Sequence, residues 1–145
     1  MKQISEFQGQ YRWLSNFWAV PIRREGRVYP SVEHAYMAAK SDDLEWKAFC
    51  ASTPSPGVVK RASKNIDLVV EWDTKKLDVM LECLREKFTS PPMRALLLNT
   101  RGVHLQEGNR WGDTFWGVDL RRNPPVGSNH LGRLLMQVRE ELERF

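Results

Sequence analysis

Long apolar runs are missing from this 145-residue chain, and no stretch approaches the ~20 consecutive residues that a bilayer-spanning helix needs. The opening segment Met1-Lys2-Gln3-Ile4-Ser5-Glu6 lacks the apolar core of a secretory signal, so a cytoplasmic location is the expectation. Cysteine is scarce: Cys50 and Cys83 fall in helix-like segments without metal-type spacing and read as free core thiols. His34, His104 and His130 are scattered through separate segments, with neither HExxH nor CxxC beside them. A metal site is therefore not expected, and no other cofactor is implied. Neither GxxxxGK(S/T) nor GxGxxG occurs, which removes the standard phosphate loops. Nothing resembles the GxSxG elbow of a serine hydrolase. No internal repeat, low-complexity tract or Pro/Gly-rich linker divides the chain, so 1–145 reads as a single domain.

What is abundant is basic charge and tryptophan. The 22 Lys+Arg against 18 Asp+Glu give a net charge of +4, which favours anionic partners such as phosphate groups. Six tryptophans supply flat indole surfaces, which suit stacking on bases beside phosphates as readily as filling a core. With 41% hydrophobic and 28% charged residues, the composition is globular rather than disordered.

Local patterns predict short strands and more numerous helices. Val20 to Tyr29 reads as two strands around a Glu25-Gly26 turn, ended by Pro30. Ser31 stands where an N-cap belongs, opening a helix through about Lys40 with Val32, Ala35, Tyr36 and Ala39 on one face. Asp43–Ala51 and Val58–Ile66 read as further helices, separated by Thr53-Pro54-Ser55-Pro56-Gly57. Asp73 is expected to cap the clearest helix, whose stripe is Leu77, Met80, Leu81, Leu84 and Phe88. Pro91-Pro92 opens another through Leu98, and a last helix from about Asn129 is expected to bury Leu131, Leu134, Leu135, Val138 and Leu142. Val103–Glu107 and Thr114–Val118 read as strands. The expected class is α+β, one compact and mostly helical domain with a few short strands.

Two acids stand out by their surroundings. Glu33 falls in the first turn of its helix, where the dipole favours an ionised carboxylate, although a surface Glu serving only that dipole has the same pattern. On an uninterrupted helix Lys40, seven positions on, would lie within about 20° of Glu33 and roughly 10 Å along the axis. Asp113 sits among glycines and aromatics in Glu107-Gly108-Asn109-Arg110-Trp111-Gly112-Asp113-Thr114-Phe115-Trp116-Gly117, which suggests a loop lying against a planar ligand or an ordinary Asp turn. Trp72 could stack on a base or plug the core.

Taken in order, Tyr11-Arg12-Trp13-Leu14-Ser15-Asn16-Phe17 and Tyr29-Pro30-Ser31-Val32-Glu33-His34-Ala35-Tyr36-Met37-Ala38-Ala39-Lys40 resemble the NADAR superfamily, also called YbiA-like or DUF1768. So do Trp72 with Leu84-Arg85-Glu86-Lys87-Phe88, then Arg94-Ala95-Leu96-Leu97-Leu98. Asp113-Thr114-Phe115-Trp116-Gly117 and Asn129-His130-Leu131-Gly132-Arg133-Leu134-Leu135-Met136 complete a match over nearly the whole chain. The resemblance implies an α+β, YbiA-like fold and N-glycosidase activity on one of two substrate types. One is a phosphoribosylated pyrimidine of riboflavin biosynthesis, releasing ribose 5-phosphate. The other is ADP-ribosylated guanine in nucleic acid, with the enzyme acting as antitoxin to an ADP-ribosyltransferase toxin encoded nearby. It further implies functional roles for Glu33, Trp72, Asp113 and Trp116, and matches Lys40 to the lysine that closes the first motif. Arg12, Asn16 and Asn129 become candidate phosphate or hydroxyl contacts by motif position alone. Two departures, Val118-Asp119-Leu120 after Trp116-Gly117 and the two prolines in Arg121-Arg122-Asn123-Pro124-Pro125-Val126-Gly127, bear on the choice of substrate.

Cleaving a ribosyl C–N bond builds positive charge on the sugar, so one carboxylate can stabilise that charge while another activates water. Glu33 and Asp113 are the expected pair. Lys40 either holds a phosphate or attacks the opened sugar as an amine, and Trp72 and Trp116 wall in the base or ribose. Removal of ADP-ribose from guanine bases in DNA is the favoured reading. The alternatives are the riboflavin-intermediate N-glycosidase and a non-catalytic ADP-ribose or nucleic-acid binding module.

Overall fold

In the computed structural model, which describes residues 1–144, the elements along the chain are β1 (Gln3–Ile4), β2 (Ile22–Arg24), β3 (Arg27–Tyr29), α1 (Val32–Ala38), α2 (Leu44–Ser52), α3 (Pro56–Ala62), α4 (Trp72–Lys87), α5 (Pro91–Leu98), β4 (His104–Leu105), β5 (Gly108–Asn109), β6 (Val118–Asp119) and α6 (His130–Glu143). Single 3-10 segments lie at Gly9–Leu14 and Ser63–Asn65. Helices carry most of the ordered chain and the strands are two or three residues long, which is the expected α+β class. Packing divides the chain into two units: one is Asn16–Lys87, and the other joins Met1–Ser15 to the chain from Phe88 onward.

The Asn16–Lys87 unit is built around α1. Glu25 and Gly26 both take positive φ, 49° and 78°, as a two-residue hairpin turn requires, and they set β2 antiparallel to β3 with Ile22 opposite Tyr29. Pro30 then releases the chain into α1, where Ser31 accepts from the His34 N–H. All of α1 is buried, so the amphipathic helix expected from the sequence is instead a central one surrounded by α2, α3, α4 and the hairpin. It is also shorter than expected. Lys40 lies outside it in a following turn, with its N–H on the Met37 carbonyl and its own carbonyl taken by the Val69 N–H at 2.8 Å.

Other boundaries moved for local reasons. Ser55 caps α3 with Pro56 in its first turn, and after Ala62 the helix tightens into the 3-10 segment instead of running to Ile66. Trp72 opens α4, so Asp73 is in its first turn rather than at its cap. The preceding Glu71, at φ 59°, provides the carbonyl that accepts from Thr74 and Lys75. Met80, Leu84 and Phe88 are buried as expected, while Leu77 and Leu81 are half-buried.

In the second unit β1 pairs parallel with β4 and β5 parallel with β6. α6 buries Leu131, Leu135 and Val138, leaves Leu134 and Leu142 half-buried, and also buries Arg139. That guanidinium donates to the Thr100 and Val103 carbonyls, each at 2.8 Å, satisfying the turn after α5. The strand expected over Thr114–Val118 begins only at Val118, for reasons that belong to the site. Among the described residues no helix is long and apolar enough to cross a membrane.

Candidate active site

In the first unit, α1 presents Glu33 almost fully buried, 6% exposed, with its N–H bonded to the Asn16 carbonyl at 3.0 Å. A carboxylate so placed costs desolvation unless charges or donors answer it, so its position is a chemical commitment rather than surface decoration. Lys40 is within its field. Burial pulls the Lys40 ammonium below its ordinary value, Glu33 pulls it back up, and Lys60 and Lys76 push it down. The Lys40 Nζ stands 5.7 Å from the centre of the Tyr36 ring. Tyr36 in turn packs on Trp72, ring centroids 5.3 Å apart. Trp72 is buried in that pair and also lines a cavity of about 180 Å³ with Arg24, Ala39, Lys47, Val69 and Lys75, so it serves the core and a cleft together.

Asn16 belongs to the same cluster. Its Nδ2 donates to the Met80 sulfur at 3.5 Å, and its Oδ1 is buried without a hydrogen-bond partner. His34, beside Glu33, has another task. Its Nδ1 meets Ser31 Oγ at 2.7 Å and its Nε2 meets the Thr53 carbonyl at 2.8 Å, while burial pulls its pKa down. A neutral ring that donates through Nε2 and accepts through Nδ1 fits both partners and anchors the start of α1.

In the second unit, Asp113 organises a loop. Its Oδ1 accepts from the N–H groups of Phe115 and Trp116, at 3.1 and 3.0 Å. This is an Asp-initiated turn, and it is why the chain does not extend here. The buried Asn109 grips the same residue from the other side: its Oδ1 accepts from the Asp113 N–H and its Nδ2 donates to the Asp113 carbonyl. The carbonyls of Thr114, Phe115, Trp116 and Gly117 then accept from the N–H groups of Ser128, His130, Leu131 and Asn129. These include N–H groups at the start of α6 that the helix itself cannot satisfy, so the loop and α6 are welded by main chain. Phe115 and Trp116 stand edge to face at 4.9 Å, with His130 against Phe115 at 4.5 Å. Gly117 has to lack a side chain, because a Cβ there would overlap the Glu107 carbonyl and carboxylate.

The structure thus gathers Glu33, Lys40, Trp72 and Asn16 in one unit, and Asp113, Trp116 and Asn129 in the other. Asn129 has both ends of its amide engaged, donating to the Leu105 carbonyl and accepting from the Glu107 N–H, each at 2.9 Å. It braces the start of α6 from the left-handed region, φ 53°. Arg12 is exposed on the 3-10 segment. Sequence reasoning missed Tyr36 as the bridge between Lys40 and Trp72, and Asn109 as the clamp on Asp113. It also missed Lys87, fully buried at the end of α4 and brought down to about 7 by burial. The thiols of Cys50 and Cys83 are free and buried, and burial raises each to about 12.

The family model described as the NADAR domain matches residues 4–143. The chain is 36% identical over 135 residues to the N-glycosidase YbiA of Escherichia coli (strain K12), covering 91% of this chain and 82% of that protein. It is 33% identical over 141 residues to an N-glycosidase of Nostoc punctiforme, covering 93% and 88%. A riboflavin biosynthesis protein of Vibrio vulnificus is 34% identical over 134 residues, which are 90% of this chain and 35% of that larger protein. Among solved structures, the NMR structure of Escherichia coli YbiA matches with a TM-score of 0.84 at 32% identity, covering 99% of this chain and 88% of that one.

Proposed function

The chain belongs to the NADAR domain family and is a hydrolase of N-glycosyl bonds, and from that premise we propose that its substrate is an ADP-ribosylated guanine base in nucleic acid. In this reading Glu33 and Asp113 are the two acids of the reaction. As the C–N bond breaks, the pair leaves with the base, which takes up a proton, and the sugar becomes cationic. One carboxylate stabilises that charge, and the other takes a proton from the water whose oxygen bonds to the sugar carbon. The products are guanine in the strand and free ADP-ribose. Asp113, held through Oδ1, has its second oxygen left for this work. Trp72 and Trp116 are each assigned to contact with the base or the ribose.

One observation carries the choice of substrate. The Lys60 and Lys76 ammonium groups each act on that of Lys40, which also lies in the field of the Glu33 carboxylate, and Lys76 is paired with Asp73 at 3.2 Å. A diphosphate answers that much positive charge better than a single phosphate does. The second reading, a phosphoribosylated pyrimidine, is favoured by the riboflavin biosynthesis proteins among the relatives.

Purified protein assayed side by side on ADP-ribosylated guanine DNA and on the pyrimidine ribosylamine phosphate tests the choice. Release of ADP-ribose from the first supports it. Ribose 5-phosphate from the second, with no ADP-ribose from the first, overturns it. The Glu33→Gln variant is nearly isosteric and should lower turnover by ~10²-fold or more while folding normally.

A further inference from the structure

Trp111 is 60% exposed, well above the 42% of Trp18 and the 7–8% of Trp13, Trp46 and Trp72. An indole left in water forgoes the burial that usually justifies it, and this one is not on a loose tip. Two residues before it, Asn109 is buried and clamps the Asp113 backbone two residues after it. Gly112 turns the chain at φ 84° and leaves room for Arg121, whose Nη2 lies 2.9 Å from the place a Cβ would take. Arg121 is itself fixed, its Nε and Nη2 donating to the two oxygens of Asp119 at 3.0 Å each. The register of β5 on β6, Asn109 opposite Asp119, sets the two loops side by side. Arg110 reaches Glu6 at 2.8 Å, and Arg122 stands 3.7 Å from Asp119 with 67% of its side chain exposed.

The indole thus stands on a backbone segment clamped at Asn109 and Asp113, and the guanidinium groups of Arg110, Arg121 and Arg122, on the same segment and the one paired with it, share two carboxylates, Glu6 and Asp119. The three guanidinium groups outnumber these two carboxylates by one, and the side chains of Arg121 and Arg122 are 57% and 67% exposed, so some of their donors face solvent. An acidic protein surface would use the charges but need not bring a flat partner for the ring. A polynucleotide strand offers both, since each base has a face to stack and each linkage an anion to hold.

We propose that Trp111 with Arg110, Arg121 and Arg122 is a seat for single-stranded nucleic acid, taking an unmodified base on the indole and the adjoining phosphates on the guanidinium groups. It rests on the reading that the substrate base lies in a strand. It adds that the enzyme grips nucleotides beyond the modified one. Stacking on a single open ring is weak, so the seat favours polymers over free nucleotides.

The test uses a fluorescently labelled, unmodified single-stranded DNA of about a dozen nucleotides, read by anisotropy at low and moderate salt. Wild type should bind, with affinity falling as salt rises. Trp111→Ala should weaken binding by about tenfold or more, Trp111→Phe should recover part of it, and Arg122→Gln should weaken binding and flatten the salt dependence. In turnover, Trp111→Ala should lower kcat/KM on a modified oligonucleotide about tenfold relative to kcat/KM on the modified nucleoside. Equal binding by wild type and a folded Trp111→Ala protein, or no binding by wild type, overturns the seat. Failure of the substrate reading is seen separately, as no ADP-ribose from either modified substrate while the unmodified strand still binds through Trp111.

Discussion

Asp113 has a structural task and, in the proposed reaction, a chemical one, and two substitutions separate them. Its Oδ1 holds two backbone N–H groups, those of Phe115 and Trp116, and so fixes the turn that presents Trp116. Alanine at 113 removes the acceptor from both. The site is half-buried, so water re-solvates those donors in part. The cost is then that of a lost helix cap, about 1–2 kcal/mol, and not the full penalty of two buried orphans. In a chain of this size that lowers Tm by roughly 2–8 °C. Asparagine keeps a carbonyl oxygen in the same place and should cost only about 0.5 kcal/mol, yet it removes the negative charge. Urea unfolding and a turnover assay, run on both variants, should thus disagree. Asp113→Ala loses stability and activity, whereas Asp113→Asn keeps most of its stability and loses turnover by ~10²-fold or more. If Asp113→Asn is as unstable as Asp113→Ala, the capping arithmetic is wrong. If it turns over like wild type, the charge at 113 takes no part in the chemistry.

Two further outcomes follow from buried groups and close approaches. Lys87 is brought from 10.5 to about 7 in the folded protein, so between those values the unfolded chain binds the extra proton. Wild-type stability should therefore gain by about 1 kcal/mol per pH unit from pH 7 upward relative to Lys87→Met, with the full cost of burial present below pH 7. Urea midpoints at several pH values check this, and a pH-independent difference contradicts it. Gly117→Ala drives a Cβ into the Glu107 carbonyl and should cost at least about 2 kcal/mol and disturb Trp116 fluorescence. Gly102→Ala, where φ is 78° but space is open, should cost only about 1–2 kcal/mol and leave that fluorescence unchanged.

Where the interactions are local, the sequence was enough. Glu25-Gly26 between short strands and Ser31 three residues before His34 act within four residues of themselves, and both elements formed where expected. Lys40 was misplaced because a distant residue, Val69, takes its carbonyl and draws the chain off α1. At Asp113 the sequence offered an Asp turn as one of two readings, but the contacts that hold that turn in place were not legible, for the same reason. Its clamp comes from Asn109 and its carbonyls are filled from Ser128–Leu131, partners that no periodicity marks. Buried charges were the other blind spot. Lys87 and Arg139 occupy helix positions that pattern alone assigns to solvent, and only tertiary packing encloses them. Family resemblance singled out Glu33, but its near-complete burial was not legible, since α1 reads as a helix with one buried face until its neighbours are known.

The proposed roles of Glu33 and Asp113 at one sugar carbon are tested most directly by a crystal structure with ADP-ribose bound. Both carboxyl groups should lie against the anomeric carbon or its hydroxyl, no more than ~9.5 Å from each other, with the diphosphate among Lys40, Lys60 and Lys76. A bound ribose touched by one acid while the other faces away, or stands farther off than that, would contradict the shared site.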